Sequence, residues 1–167
     1  MLVLIRHSVP EIDPARPAAE WRLSEEGRAR CEPLAARVRA SGPRRLLSSP
    51  EPKALETAEL IAPALGLEVE IERDLREHER RTLPYLPRDE FVLRMREFFA
   101  RPDEVVVGEE SAGAARARFA AVVDRVERPA AVVTHGTVIA LYRAGSDPDG
   151  GFAFWEGLAL PDVVEVS

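Results

Sequence analysis

Short apolar runs recur along the chain and are separated by longer segments of mixed polarity. Residues 2–5 and 130–133 are continuous aliphatic runs, and residues 46–47 form a shorter run of the same kind. Such runs are too short for helices and are typical of strands buried on both faces of a sheet. Residues 67–71 alternate apolar with acidic side chains, which predicts a strand nearer the sheet edge.

The segments between these runs carry apolar residues at helical spacing. They predict helices over residues 24–41, from just after Pro50 to about residue 65, and over 89–100, 111–127 and 138–144. Ser24 is a favourable N-cap for the first helix, and Gly66 is expected to end the second. Pro33 lies inside the first helix and is expected to kink or split it. Residues 152–155 and 163–166 are predicted as closing strands.

Strands that alternate with helices predict an α/β fold with a mostly parallel central sheet and helices on both faces. We therefore expect a three-layer α/β/α sandwich, formed by a single domain over residues 1–167, with a short helical cap segment. No repeat, low-complexity tract or long linker interrupts this order.

Composition narrows the class of function. The 167 residues are 46% hydrophobic and carry a net charge of −6, which argues against a general binder of nucleic acid or of anionic membranes. No apolar run is long enough to span a bilayer. The single cysteine, Cys31, excludes an internal disulfide and a cysteine-based zinc cluster. The expected compartment is the cytoplasm.

Polar motifs follow three of the predicted buried strands. They are Arg6-His7-Ser8, Ser48-Ser49-Pro50 and Thr134-His135-Gly136-Thr137. Ligands of open parallel sheets bind beyond the carboxyl ends of the strands. Two of the three histidines in the chain occupy such positions, so we expect His7 and His135 to share one rim of the sheet.

These motifs resemble those of the histidine phosphatase superfamily, the phosphoglycerate-mutase-like family, whose opening motif is Arg-His-Gly. Residues 48–58, SSPEPKALETA, are similar to the family pattern Ser-Ser-x-x-x-Arg-Ala-x-x-Thr-Ala. Residues 23–27, LSEEG, resemble Leu-Thr-x-x-Gly, and residues 75–77, LRE, resemble the Leu-x-Glu that precedes the acid-bearing loop. Residues 108–111, GEES, approximate Gly-Glu-Ser with one extra residue. The resemblance covers residues 1 to about 144.

The resemblance implies a phosphoryl-transfer site without a metal ion or other cofactor. His7 is the implied nucleophile, and Glu77 the acid that protonates the leaving oxygen and then activates water. Arg6, Lys53 and His135 would surround the phosphoryl oxygens, where charge stabilisation supplies most of the catalysis. Glu72, Asp74 and Glu79 are alternatives for the acid on sequence alone.

Three neutral donors are expected to contact the phosphate, namely Ser8, Ser49 and Thr137. Ser8 replaces the glycine of the opening motif, and Lys53 replaces an arginine, which keeps the charge but loses the bidentate fork. The extra residue in GEES leaves open which of Glu109 and Glu110, if either, faces the pocket. His78 is expected on the surface or just behind the groups that touch the ligand. Arg80 and Arg81 are expected in solvent, with contact to an extended anionic substrate as the alternative, and Trp21 is assigned equally to the pocket mouth or to the core.

The sequence therefore predicts a metal-independent phosphatase that hydrolyses a small phosphomonoester through phosphohistidine on His7. The alternatives are mutase-type phosphotransfer and a non-catalytic module of the same fold that binds a phosphate ligand or a protein. The short segment between Glu77 and Gly108 favours a small open pocket over the enclosed one that a mutase needs. The fold does not specify the substrate, and the sequence does not indicate an oligomeric state.

Overall fold

A computed structural model describes residues 1–166 of the chain. Five strands form one sheet: β1 (Leu2–Arg6), β2 (Arg45–Ser48), β3 (Val69–Ile71), β4 (Ala130–Thr134) and β5 (Asp162–Val166). Their order across the sheet is β3-β2-β4-β1-β5. The first four are mutually parallel, and β5 runs antiparallel to β1 at the edge. The mostly parallel sheet is thus confirmed, and so is the position of residues 67–71 near an edge.

Within residues 1–166, seven α-helices cover the sheet. They are α1 (Glu25–Ala29), α2 (Cys31–Ala40), α3 (Pro52–Leu65), α4 (Arg88–Ala100), α5 (Ala112–Val123), α6 (Gly136–Ala144) and α7 (Pro148–Gly157). The predicted first helix is split at Arg30, three residues before Pro33, and the second segment begins at Cys31. Gly66 ends α3 in the left-handed conformation, with φ of 66°.

Alternation along each central strand divides the core between the two faces of the sheet. Val3, Ile5, Leu46, Ala131 and Val133 pack with α2 and α3 on one face. Leu2, Leu4, Leu47 and Val132 lie on the other face with residues of α4, α5, α6 and α7. Every aliphatic side chain of residues 2–5 and 130–133 is buried, as a strand covered on both faces requires. The three-layer α/β/α architecture is confirmed.

The prediction of a strand over residues 152–155 is wrong, because these residues belong to α7. Asp147 caps this helix by accepting a hydrogen bond from the backbone N–H of Gly150, and Pro148 occupies the first turn. Gly150 and Gly151 disfavour a helix in isolation. At Gly151 a Cβ would lie 3.1 Å from the Phe99 ring, so the glycine permits α7 to pack closely on α4.

Helix α4 supplies the short helical cap segment. Its Met95, Phe98 and Phe99 are buried in the core, while Phe91 at its N-terminal end meets Trp155 of α7 edge to face at 5.9 Å between ring centroids. The loop that leads into α4 passes over the carboxyl ends of the strands. None of the helices within residues 1–166 is both long and apolar enough to cross a membrane.

Candidate active site

The carboxyl ends of β1, β2 and β4 bring their polar motifs together. His7 follows β1 and His135 follows β4, and their rings meet edge to face with centroids 5.2 Å apart. The parallel pairing that sets Arg6 opposite Thr134 makes this possible despite the long separation in sequence. A cavity of about 320 Å³ opens beside His7, and Arg6, Lys53, Glu77 and Thr137 also contribute to its wall.

The ring of His7 is fixed in one orientation. Its Nδ1 lies 2.7 Å from the carbonyl oxygen of Ser8, which can only accept, so Nδ1 carries the proton. Burial lowers the pKa of His7 well below the ordinary value, and the neighbouring His135 and Lys53 lower it further. The imidazole is therefore neutral, and its Nε2 keeps a free lone pair.

His135 lies behind His7 and is fully buried. Its Nε2 is 2.8 Å from the hydroxyl of Ser49, and its Nδ1 is buried without a hydrogen-bond partner. Burial lowers the pKa of His135 well below the ordinary value, with Lys53 acting in the same direction. Both rim histidines are thus neutral in the free protein.

Arg6 approaches this site because the residue after His135 has no side chain. Its Nη1 donates to the carbonyl of Leu158 at 2.7 Å, and its Nε is buried without a partner. A Cβ on Gly136 would lie 2.9 Å from that Nε, closer than real Cβ contacts allow. The glycine of the His-Gly pair therefore makes room for the guanidinium.

Glu77 is bound to the N-terminus of α6. Its carboxylate accepts hydrogen bonds from the backbone N–H groups of Thr137 at 3.1 Å, Val138 at 3.2 Å and His78 at 3.0 Å. Burial alone would raise the pKa of Glu77, but the neighbouring basic groups, Arg80 foremost, together outweigh it, and the net pKa lies below the ordinary value. Glu77 is therefore ionised in the free protein.

Lys53 is buried and already has a counter-ion. Its Nζ donates to Glu51 at 2.9 Å and to the carbonyl of Ala18. Burial lowers the pKa of Lys53, and Glu51 partly reverses the effect. The same Glu51 carboxylate accepts the backbone N–H of Glu77 at 2.9 Å and lies 3.7 Å from Nε2 of His135.

Glu51 was missed by the sequence analysis, although it stands next to the Ser48-Ser49-Pro50 motif. An acidic residue two positions before the only lysine of the chain was the available signal. The pairing depends on the turn into α3, which points both side chains to one side. A carboxylate beside the expected phosphate position is an electrostatic cost for an anionic ligand.

Two of the three predicted neutral donors, and also His135, are not among the residues that line the cavity. The Ser8 hydroxyl donates to the carbonyl of Gly27 at 2.7 Å and is fully buried. Ser49 is also fully buried and uses its hydroxyl on His135 and on the backbone N–H of Glu51. Both hydroxyls fix neighbouring elements, whereas Thr137 does reach the cavity wall.

The segment after Glu77 differs most from expectation. His78 is buried rather than on the surface, stacked on Phe98 with 4.3 Å between ring centroids. Its Nδ1 accepts a hydrogen bond from Arg80 at 3.0 Å, which directs that arginine to the cavity wall. Arg81 lines an adjoining polar cavity and pairs with Glu20 at 3.0 Å.

Neither Glu109 nor Glu110 faces the cavity. Glu109 accepts the backbone N–H groups of Arg81 and Thr82, and Glu110 accepts that of Glu79. Glu110 also pairs with the buried Arg118 at 2.8 Å. The extra residue in GEES thus supplies two adjacent carboxylates that hold the loop carrying Arg80.

No group of three or more histidine, cysteine, aspartate or glutamate side chains within residues 1–166 is arranged to hold a metal ion. The functional groups at the cavity are an imidazole with a free lone pair, a carboxylate, a lysine and four arginines. Together these can receive a phosphoryl group and neutralise its charge.

Known structures share this fold. A mycobacterial glucosyl-3-phosphoglycerate phosphatase is 24% identical over 95% of this chain and 84% of its own, with a TM-score of 0.74. The same phosphatase in complex with inorganic phosphate is 25% identical over 86% of this chain and 76% of its own, with a TM-score of 0.71.

A phosphoserine phosphatase variant from Entamoeba histolytica, in complex with phosphoserine, is 18% identical over 97% of this chain and 87% of its own, with a TM-score of 0.73. A search of curated proteins gave no significant match. The family model of the histidine phosphatase superfamily (branch 1) matches residues 2–154. The chain, with Arg6-His7 after β1 and His135-Gly136 after β4, therefore belongs to the histidine phosphatase superfamily.

Proposed function

We propose that the protein is a metal-independent phosphomonoesterase that transfers the phosphoryl group of its substrate to His7 and then to water. The orientation of the His7 ring carries this proposal. The Ser8 carbonyl accepts a hydrogen bond from the Nδ1 proton. Burial is the main cause of the lowered pKa of His7, and because the pKa is low, Nε2 is unprotonated at neutral pH. A neutral imidazole with its lone pair directed to a cavity is a competent nucleophile toward phosphorus.

The reaction has two steps. Nε2 of His7 attacks phosphorus in line, the bond from phosphorus to the ester oxygen breaks, and the leaving oxygen takes a proton from Glu77. Water then attacks the phosphohistidine, Glu77 accepts a proton from that water, and the phosphorus–nitrogen bond breaks to release inorganic phosphate. Arg6 and Lys53 supply donors and charge around the phosphoryl oxygens, whereas His135 is neutral and buried behind His7.

The substrate itself provides the proton that Glu77 needs. Glu77 is ionised in the free protein, because its pKa is lowered by Arg80 against the effect of burial. A phosphate group has a second pKa of about 6, so it enters with one proton in mildly acidic solution. Its negative charge beside the carboxylate raises the pKa of Glu77 and favours transfer of that proton to it. The rate is therefore expected to be higher below neutral pH.

The test is turnover of p-nitrophenyl phosphate in the presence of EDTA. In a second assay the reaction is stopped by denaturation and the phosphorylated protein is detected. The wild type is expected to release p-nitrophenol in EDTA and to form an acid-labile, alkali-stable phosphoprotein. His7→Ala should lose both. Tyr142→Phe, which removes a hydroxyl bonded to Asp124 outside the cavity, should retain both.

Two outcomes would contradict the proposal. Turnover that persists in His7→Ala would show that another group is the nucleophile. Binding of inorganic phosphate without turnover of any phosphomonoester between about pH 5 and pH 8 would favour the non-catalytic alternative.

A further inference from the structure

The cavity above His7 has two chemically different sides. Arg6, His7 and Glu77 lie at its inner end, next to the expected phosphoryl position. The outer wall is formed by apolar side chains from three separate parts of the chain, including Ile12, Trp21 and Tyr85. A substrate with its phosphoryl group on His7 therefore places its alcohol portion against these side chains.

The aromatic part of this wall is preformed. The Trp21 indole N–H donates to the carbonyls of Asp13 at 3.0 Å and Arg16 at 3.2 Å, so its polar edge is already satisfied. Phe91 and Trp155 hold each other edge to face at 5.9 Å. The faces of these rings offer apolar surface, and the Trp21 donor is already used, which suits an apolar group.

Two further apolar side chains at the mouth are exposed to solvent. Ile12 is 56% exposed and Tyr85 is 48% exposed, and both line the cavity. Exposed apolar surface that is continuous with a polar site is typical of a surface that a ligand covers. The exposure at the mouth is thus consistent with a bound group that extends outward from His7.

The wall has few side chains that could accept hydrogen bonds from a polyol. Glu77 is its single carboxylate within the described residues, and it already accepts three backbone N–H groups. The whole chain contains no asparagine and no glutamine. The remaining charged residues of the wall, including Arg16 and Arg88, are cationic. Sugar hydroxyls could accept from these cations, but their own protons would find few acceptor side chains in exchange for water.

From this wall we infer that the substrate is the phosphomonoester of an aromatic or bulky apolar alcohol. The inference rests on the proposed function, since it assumes that the phosphoryl group is held at His7. A cavity of about 320 Å³ accommodates a phosphoryl group together with a fused pair of rings.

The test compares three phosphomonoesters of primary alcohols, so that the leaving groups have similar chemical reactivity. They are 2-(1-naphthyl)ethyl phosphate, glycerol 1-phosphate and phosphoserine. Burial of the naphthyl group is expected to raise kcat/KM roughly 10- to 100-fold over the two polar esters. Equal or lower kcat/KM for the naphthyl ester, with clear turnover of a polar one, would overturn the inference and leave the proposed phosphatase intact.

Substitutions in the outer wall test whether these side chains cause the preference for the naphthyl ester. Ile12→Ser and Tyr85→Ser change exposed side chains and should leave the fold intact while lowering the preference for the naphthyl ester severalfold. Leu93→Ser is the matched control, because Leu93 is 67% exposed on α4 and does not line the cavity. An unchanged preference in both cavity variants would overturn the inference. Absence of turnover and of phosphohistidine with all three esters would overturn the proposed function as well.

Discussion

Replacement of His78 should make the stability of the protein less sensitive to acid. His78 is 2% exposed, and Nε2 is 3.2 Å from the carbonyl oxygen of Val107, while Nδ1 accepts from Arg80 at 3.0 Å. Burial and the charge of Arg80 lower the pKa of His78 to about 4, against the opposing effect of Glu77. Protonation would remove the acceptor for Arg80 and place two positive charges together.

The size of the effect follows from the two pKa values. The unfolded chain takes up the proton near pH 6.5 and the folded chain only near pH 4, so the folded state binds fewer protons between these values. The contribution is complete above pH 6.5 and is lost as pH falls. It amounts to about 2 kcal/mol between pH 7.5 and pH 5, and to about 3 kcal/mol below pH 4.

The measurement is the free energy of unfolding by urea at a series of pH values, for the wild type and His78→Gln. The variant should be less stable at pH 7.5 by about 1–3 kcal/mol, because buried hydrogen bonds are perturbed. Its deficit should shrink by about 2 kcal/mol at pH 5, since Gln does not titrate. His7 and His135 titrate in both proteins and cancel in the difference.

Phe119→Leu is the control, because it should lower the free energy of unfolding without removing a titratable group. Phe119 is fully buried in the same apolar cluster and carries no titratable group. Its deficit relative to the wild type should therefore stay constant with pH. If the deficit of His78→Gln also stays constant between pH 7.5 and pH 5, the neutral, acceptor role assigned to His78 is refuted.

Three further predictions concern other parts of the site and its supports. Gly27→Ala should cost about 1–3 kcal/mol or more in urea unfolding, because its Cβ would lie 2.0 Å from a backbone carbonyl oxygen, whereas Gly157→Ala, with no atom within 4 Å, should be nearly neutral. Glu51→Gln should tighten binding of inorganic phosphate on the order of tenfold by calorimetry, since it removes the negative charge beside Lys53; weaker binding would contradict this. Glu77→Gln should lower kcat/KM, which reports transfer to His7, about 10²–10⁴-fold for an alkyl phosphate but much less for p-nitrophenyl phosphate, whose leaving group needs no proton, and equal losses would argue for a purely structural carboxylate.

The sheet was accessible from sequence because its strands are buried on both faces. Continuous aliphatic runs at residues 2–5 and 130–133 have no other stable location in a chain of this size, and caps such as Ser24 mark where helices begin. The meeting of His7 and His135 followed from parallel pairing alone. Residues 152–155 could not be assigned, because the closeness of α7 to α4 overrides the low helix propensity of two glycines.

The interior of the site was harder to predict than its outline. The direction of the Ser8 hydroxyl depends on the carbonyl of Gly27, which another segment brings into range. The position of Arg80 depends on His78 and on carboxylates some thirty residues further along the chain. Such contacts carry no local periodicity or capping signal, so they become visible only when the tertiary structure is known.

The place of β4 in the sheet has a consequence for how the protein is made. Strand β4 lies between β2 and β1, so before residues 130–134 emerge from the ribosome β1 has no neighbouring strand to pair with. A nascent chain that ends earlier also lacks His135 and the α6 N-terminus that binds Glu77. Closure over so long a stretch of chain is a late event in folding. A nascent chain that ends before β4 therefore has no assembled site. We expect activity only after β4 has joined the sheet and α6 has formed.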